Sequence, residues 1–396
     1  MKTLNKYITA RTFLTAANQM LTTATAYQIY HITHNAFYLG LIGLIQFLPK
    51  IIFIFQAGTL SDRFDRRKII TLTQTGIFII SLFIVLSNTF HLISGLLLLV
   101  CVFIYGSCFA LEGPAITSLL PNIVERNVFS KATAQVSSFT QAATILGPTL
   151  AGLLLIFNLD FVYIIIALFN LIAIIFIKMI KSSEVKKDEF LVTNESQVKA
   201  TIEGFKFIWK KKGILGAMSL DMFAVLFGGI TALLPMFASE VLHVGSFGYG
   251  LLRSAPGIGA IIMAAILVYF PLQEHVGKKM FLCVALFGLI TILFALSKIF
   301  IISLLLLVLL GMVDQVSVII RTTYVQLVTP DDKRGRISAV NLIFIGASNQ
   351  LGEFESGMVA GFLGLIPASI IGGVATLIIV AIWYNVFDDL RELEKL

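Results

Sequence analysis

Apolar runs of about 20 residues, separated by short polar connectors, recur along nearly the whole of the 396-residue chain. A bilayer core about 30 Å thick takes roughly 20 apolar residues per helix, so each run predicts one membrane-spanning helix. The runs fall at 8–30, 37–59, 68–88, 92–114, 133–157, 160–180, 213–238, 247–272, 279–298, 300–322, 337–361 and 365–386. Barrel strands would alternate in polarity over roughly ten residues, and these runs do not. In lipid the backbone must satisfy its own hydrogen bonds, which leaves the helix as the spanning element. The pattern predicts an all-α membrane protein with twelve transmembrane helices. A composition 58% hydrophobic and only 13% charged, with mean hydropathy +0.94, excludes a soluble fold.

The longest polar stretch, 181–212, divides the spans six and six. This predicts an N-terminal bundle over 1–180, a cytoplasmic linker over 181–212 and a C-terminal bundle over 213–396. Two equal halves suggest duplication. LGPTLAG at 146–152 and LGEFESG at 351–357 share Leu-Gly and a final Gly at an offset of 205, and Gly106 matches Gly311 at the same offset. That would place span five on span eleven and span four on span ten, as parallel repeats require. Within the linker, Ile202, Phe205, Phe207 and Ile208 alternate with Lys206 and Lys210 to Lys212. An amphipathic helix at the inner membrane surface is expected there, with a plain solvated linker as the alternative.

Net charge +7 and pI 9.2 raise the question of nucleic acid, and the positions of the cations answer it. With a cytoplasmic N-terminus, the connectors on that side hold Lys2, Lys6, Arg63 to Lys68, Arg126, Lys131, the series from Lys178 to Lys212, Lys278, Lys279, Lys333, Arg334, Arg336, Arg391 and Lys395. The opposite connectors hold Lys298. This is the positive-inside distribution, which predicts both termini in the cytoplasm and no nucleic-acid partner. The basic start MKTLNKYITARTF leads into a segment with Asn18, Gln19 and several threonines, read as a first span and not as a signal peptide. Cys101, Cys108 and Cys283 lie inside apolar runs and imply neither disulfide nor metal.

Charges inside the spans are costly, at least about 2.5 to 3.5 kcal/mol each near the bilayer centre, so each needs a partner or a watery cavity. Lys50, Glu112, Asp221, Arg253, Asp314, Glu353 and Glu355 are such residues. At 1.5 Å per residue, Arg253, Glu353 and Glu355 fall roughly 24 to 27 Å from the inner face, and Lys50, Asp221 and Asp314 roughly 12 to 15 Å from it. Glu353 and Glu355 are about 200° apart on a helix and cannot share a face. Arg11 and Arg321 fall near enough to the inner surface to snorkel and are given no special role. No phosphate-binding Gly-rich loop, metal cluster or nucleophile arrangement occurs in the sequence, so neither an enzyme nor a cofactor or metal is expected.

Gly58, Leu60, Asp62, Arg63, Arg66 and Lys68, in the connector GTLSDRFDRRK between spans two and three, resemble motif A of the major facilitator superfamily, G-x-L-A-D-R-x-G-R-K. Ser61 replaces a usual Ala and Asp65 a usual Gly. Gly147, Pro148 and Gly152 in span five resemble motif C, the Gly-Pro element associated with exporters and antiporters, with Ala143 and Ala151 where glycines are usual. The D-R-F-D-R-R form, with LLPNIVERNVFSKATAQ at 119–135, EGFKFIWKK at 203–211, YGLLRSAPGIGA at 249–260 and TPDDKRGRIS at 329–338, resembles the branch of the enterobactin exporter and macrolide-efflux-type proteins. The Arg of motif B in span four is absent, and LQEHVGKKM between spans eight and nine is a poor second copy of motif A.

The resemblance implies two pseudo-symmetric six-helix bundles and transport by alternating access. Spans one, four, seven and ten would line the cavity. Asp221, Asp314, Glu353, Glu355 and Glu112 are then proton-coupling candidates, since a carboxylate in a cavity can load a proton from one side and release it on the other. The competing role for Asp221 and Asp314 is a permanent ion pair, and for Glu112, near the inner end and followed by Gly-Pro, interfacial solvation. Lys50 and Arg253, on corresponding spans two and eight, are candidates to hold an anionic substrate, with neutralisation of a nearby carboxylate by each as the competing role. Gly58, Asp62, Arg63, Arg66 and Arg67 would form a conformational latch, with Asp62 against the N-terminus of span eleven near Gly335 to Ser338. The expected role is proton-driven efflux of a small molecule across a bacterial cytoplasmic (inner) membrane, siderophore export ahead of drug efflux. The expected partners are that substrate, protons and the lipid bilayer, with a monomer as the family default.

Overall fold

The structure, a computed structural model, describes residues 2–180, 203–330 and 334–395. Most of the predicted linker, 181–202, lies outside them. Helices occur at each predicted span: α1 (Lys2–Thr33), α2 (Ala36–Ile52) continuing as α3 (Ile54–Arg63), α4 (Arg66–Thr89), α5 (Gly95–Ile123), α6 (Phe129–Leu155) and α7 (Leu159–Lys178). A short helix, α8 (203–210), precedes α9 (Lys212–Phe227). Then come a one-turn α10 (Leu234–Met236), α11 (Gly245–Tyr269), α12 (Val276–Leu296), α13 (Phe300–Val328), α14 (Arg334–Leu363), α15 (Leu365–Val386) and the short α16 (Asp388–Arg391).

Among the described residues nine helices are long and apolar enough to cross a membrane, or ten with the bent pair α2 and α3 taken as one span. The predicted first and eleventh spans are the difference. Lys2–Thr33 and Arg334–Leu363 are as long as their neighbours but carry more polar residues, such as Asn18 and Gln19 in the first and Gln350, Glu353 and Glu355 in the second.

Among the described residues two predicted spans are interrupted. The second bends by 56° near Phe53, whose dihedrals (φ −100°, ψ 8°) leave the helical region. The seventh stops at Phe227, since Gly228 and Gly229 adopt non-helical dihedrals. A 3₁₀ turn (Ile230–Leu233), α10 and a wide π turn (Phe237–Val241) carry it onward. Two glycines in succession withdraw helix propensity where the chain changes direction. Where helices begin sharply, side chains cap them: Asp65, Ser94 and Asn158 accept the backbone N–H groups of Arg67, Leu97 and Asp160 at 3.0, 3.2 and 3.0 Å.

The chain divides into two compact units, Met1–His34 with Ile45–Asn194 and Gly245–Ser254, and Asn35–Leu44 with Glu195–Val244 and Ala255–Leu396. They depart from linear halves by two segments: 35–44, which includes the first nine residues of α2, falls in the second unit, and 245–254 of α11 falls in the first. Each unit has the same helix neighbours. In the first, α1 packs on α6 and α7, and α4 on α5 and α7; in the second, α9 packs on α14 and α15, and α12 on α13 and α15. Tyr7, Leu14, Ile70, Ile116 and Ile177 are central to one core of the first unit. Leu220, Met280, Phe281, Val316 and Ile320 are central to one of the second.

Candidate functional site

Asp314, Ser317 and Arg321 are spaced at three and four residues along α13, which puts them on one helical face. Asp221 reaches that face from α9. Arg321 Nη2 stands 3.3 Å from Asp221 Oδ2, and Ser317 Oγ donates to Asp221 Oδ1 at 3.2 Å. Arg321 Nη1 donates to Asn341 Oδ1 of α14 at 3.0 Å. Asp221 is 6% and Arg321 2% exposed. Ions so deeply buried persist only with matched charge and hydrogen bonds.

Arg321 therefore corrects the sequence reading, which had it snorkelling to the surface. It is a buried cation of the second unit, and its spacing from Asp314 and Ser317 was the signal that could have found it. Asp314 lies near enough to feel the charges of both Arg321 and Asp221. Asp221 holds the direct contact.

Asp314 also borders a cavity of about 240 Å³ together with Thr231, Asn349, Phe287 and the broken backbone at Gly228 and Gly229. A much smaller void, about 10 Å³, joins Asp314 to Asp221 and Ser317. Asp314 is thus placed between a closed ion pair and a space large enough for water. Gly228 and Gly229, where α9 ends, form part of the wall of that space, and Asn349 of α14 supplies an amide there.

In the first unit Glu112 of α5 is 3% exposed. It accepts a short hydrogen bond from Gln74 Nε2 and one from Thr73 Oγ1 at 3.3 Å, both on α4, and Arg11 acts on it electrostatically. Burial overturns the alternative of interfacial solvation, because the side chain turns from the helix end onto α4. Glu353 and Glu355 are half-buried and diverge, as their spacing requires. Glu353 packs on Gly43, where an added Cβ would stand 2.7 Å from its Cβ, and Glu355 accepts from Ser356 Oγ at 3.5 Å. Lys50 is exposed in the last turn of α2 and Arg253 is half-buried on α11.

The motif A connector is bonded within its own unit. Ser61 and Ser118 share a hydroxyl hydrogen bond at 3.2 Å, and Arg66 Nη1 donates to Ser118 O at 3.1 Å. Asp65 caps α4 and holds Arg67 through two side-chain contacts, 3.1 and 2.5 Å, while Arg67 Nη1 donates to Ile180 O at 2.6 Å beyond α7. The Arg67 hydrogen bonds hold the Asp65 carboxyl below its ordinary range. Both departures from the family pattern, Ser61 and Asp65, therefore make bonds of their own. Asp62 and Arg63 are exposed and Gly58 is half-buried. The helix start expected to receive Asp62, near Gly335 to Ser338, has its side chains at 334–336 and 338 outside the described residues.

The glycines of the two echoed segments make matching contacts. Gly147 lies against Gln19 and Ala16 of α1, and Gly352, 205 residues on, against Val225 and Leu226 of α9. Gly106 lies against Pro49 of α2 and Gly311 against Pro256 of α11. A Cβ on Gly152 would stand 2.6 Å from Ser246 O and 2.7 Å from Gly250 Cα, and one on Gly40 3.0 Å from Gly357 Cα. Beside the first of these approaches Thr149 and Ser254 share a hydrogen bond at 2.6 Å. Pro148 is buried within α6.

Comparison with known proteins agrees with this architecture. The model of the Major Facilitator Superfamily matches residues 8–353. The staphyloferrin A transporter of Staphylococcus aureus (strain NCTC 8325 / PS 47) is 23% identical over 364 residues, 90% of this chain and 89% of that protein. An uncharacterized MFS-type transporter, YjbB, of Bacillus subtilis (strain 168) is 25% identical over 371 residues, 90% of this chain and 87% of that protein. Among solved structures, the nucleoside transporter NupG superposes with a TM-score of 0.75 at 13% identity, covering 98% of this chain and 100% of NupG. An inward-facing bacterial homologue of the iron transporter ferroportin gives 0.71 at 13% identity, covering 96% and 98%.

Proposed function

The chain belongs to the major facilitator superfamily, and from that footing we propose that it exports a siderophore across a bacterial cytoplasmic membrane in exchange for protons. Twelve spans with both termini cytoplasmic, two six-helix bundles over 1–180 and 213–396 with a linker at 181–212, and alternating access complete the proposal. The observation that carries it is Asp314, a carboxylate bordering a cavity while its neighbour Asp221 pairs with Arg321. In this reading Asp314 binds and releases the proton. Its charge would be sensed by Asp221 and Arg321, and through Asn341 by α14. Glu112 serves as a second titrating group in the first unit, with Glu353 and Glu355 nearer the outside.

Siderophore as cargo is supported by likeness to the staphyloferrin A transporter and to the enterobactin-exporter branch, and by the intramembrane cations Lys50 and Arg253 as anion ligands. Gly58, Asp62, Arg63, Arg66 and Arg67 would latch the inner side. Multidrug or macrolide efflux is the second reading, favoured by the Gly147-Pro148 element of α6. Uptake, lipid transport or a non-transporting role stand behind it.

Everted membrane vesicles energised to an acid interior test the choice. Siderophore accumulation abolished by a protonophore supports export by exchange. Accumulation of macrolides in place of siderophores moves the assignment to drug efflux, and movement only in the opposite orientation moves it to uptake.

A further inference from the structure

The short helix α8 (203–210) has one face in the protein and one face outside it. Ile208, 1% exposed, packs with Ile214, Met218, Val325, Ile337 and Val340, and the Phe205 ring lies 5.8 Å from that of Phe344. The opposite face carries Lys206, Trp209 and Lys210, with Trp209 74% exposed. Lys211 and Lys212 follow, both exposed, and α9 enters its apolar run from Lys212. Among the described residues none of these four lysines is in an ion pair with a carboxylate.

An indole this exposed is poorly placed in bulk water and well placed at a bilayer surface, where its ring meets the acyl boundary and its N–H the polar region. Four ammonium groups within seven residues, at the mouth of a spanning helix, are the complement of an anionic headgroup layer. We propose that Lys206, Trp209, Lys210, Lys211 and Lys212 form a binding site for anionic phospholipid headgroups. Because Ile208 packs at once on α9, α13 and α14, lipid bound on the outer face of α8 steadies those three helices where they meet. The proposal rests on the orientation given above only for the choice of the cytoplasmic leaflet; the binding itself is independent of cargo and coupling ion.

The chain has two tryptophans, and Trp383 donates to Ser219 Oγ at 2.9 Å inside the second unit. The full-length protein in phosphatidylcholine bilayers containing phosphatidylglycerol, with a spin label on either headgroup, reads the site through Trp209 quenching. W383F isolates Trp209. Where that variant does not fold, the difference between wild type and W209F gives the same signal.

Labelled phosphatidylglycerol is expected to quench Trp209 more effectively than labelled phosphatidylcholine, on the order of tenfold. The preference should fade in molar salt and be lost on K206Q/K210Q/K211Q/K212Q. Equal quenching by both lipids, or a preference that survives the four neutralisations, overturns the proposal. So does displacement of the labelled lipid by millimolar inorganic phosphate, which would assign the lysines to a free anion.

Discussion

Arg321 Nη2 lies 3.3 Å from Asp221 Oδ2 with both side chains almost wholly withdrawn from solvent, and with the Ser317–Asp221 hydrogen bond this contact ties α13 to α9. Removing one partner of a buried pair leaves the other charge uncompensated, which costs about 3 to 5 kcal/mol. Arg321→Met should therefore destabilise the protein by that order. Asp221→Asn combined with Arg321→Met should recover much of the loss, because the directly paired charge goes with its partner and Asp314, the carboxylate left, borders a cavity large enough for water. Thermal unfolding in detergent of the two single variants and the double checks this through the coupling energy. Strict additivity would contradict it.

Glu112 receives its hydrogen bonds from Gln74 and Thr73, the first of them short. Hydrogen bonds to a charged group contribute about 1.5 to 3 kcal/mol. Gln74→Ala should cost stability in that range, and Gln74→Glu more, since it sets two carboxylates together. Denaturation midpoints of the purified variants decide the order.

The approach of Gly152 to Gly250 leaves no room for a side chain, and Gly40 meets Gly357 in the same way. Gly152→Val and Gly357→Val should each cost about 1 to 3 kcal/mol by overpacking. Both should slow transport far more than a surface substitution of equal cost, because the same contacts join segments exchanged between the two units. A substrate-exchange assay at matched protein recovery measures the difference.

Asp65 contributes a pH-dependent stability whose sign is fixed by its lowered carboxyl. The contribution is fully present above the ordinary carboxylate value of about 4 and is lost as pH falls through the lower folded value. Wild type and Asp65→Asn should therefore differ most near neutrality and converge in acid. Unfolding midpoints followed from pH 7 downward test this, and a gap that widens in acid would contradict it.

The helical fold was legible because lipid leaves helix as the spanning solution, so the continuous apolar runs located the long helices among the described residues. The offset of 205 was legible too: the glycines it links, Gly106 with Gly311 and Gly147 with Gly352, make matching contacts. The reciprocal exchange of 35–44 and 245–254 was not, since it depends on which helices meet Gly40 and Gly250 and on nothing periodic in the sequence. In the site, depth counting found Asp221 and Asp314 but left Arg321 at the surface. Counting residues from a helix end gives height and not facing, and it was the facing of Arg321, onto Asp221 and Asn341, that buried it. Gln74 and Thr73 escaped for a similar reason, as polar residues gain meaning only when α4 packs on α5.

The most direct measurement is proton movement in proteoliposomes containing wild type or Asp314→Asn, with siderophore added against a pH gradient. The wild type should show substrate-dependent proton flux, and Asp314→Asn should keep siderophore exchange at equal pH while losing the flux. Proton flux that persists undiminished in Asp314→Asn would contradict the assignment of Asp314 as the proton-carrying group.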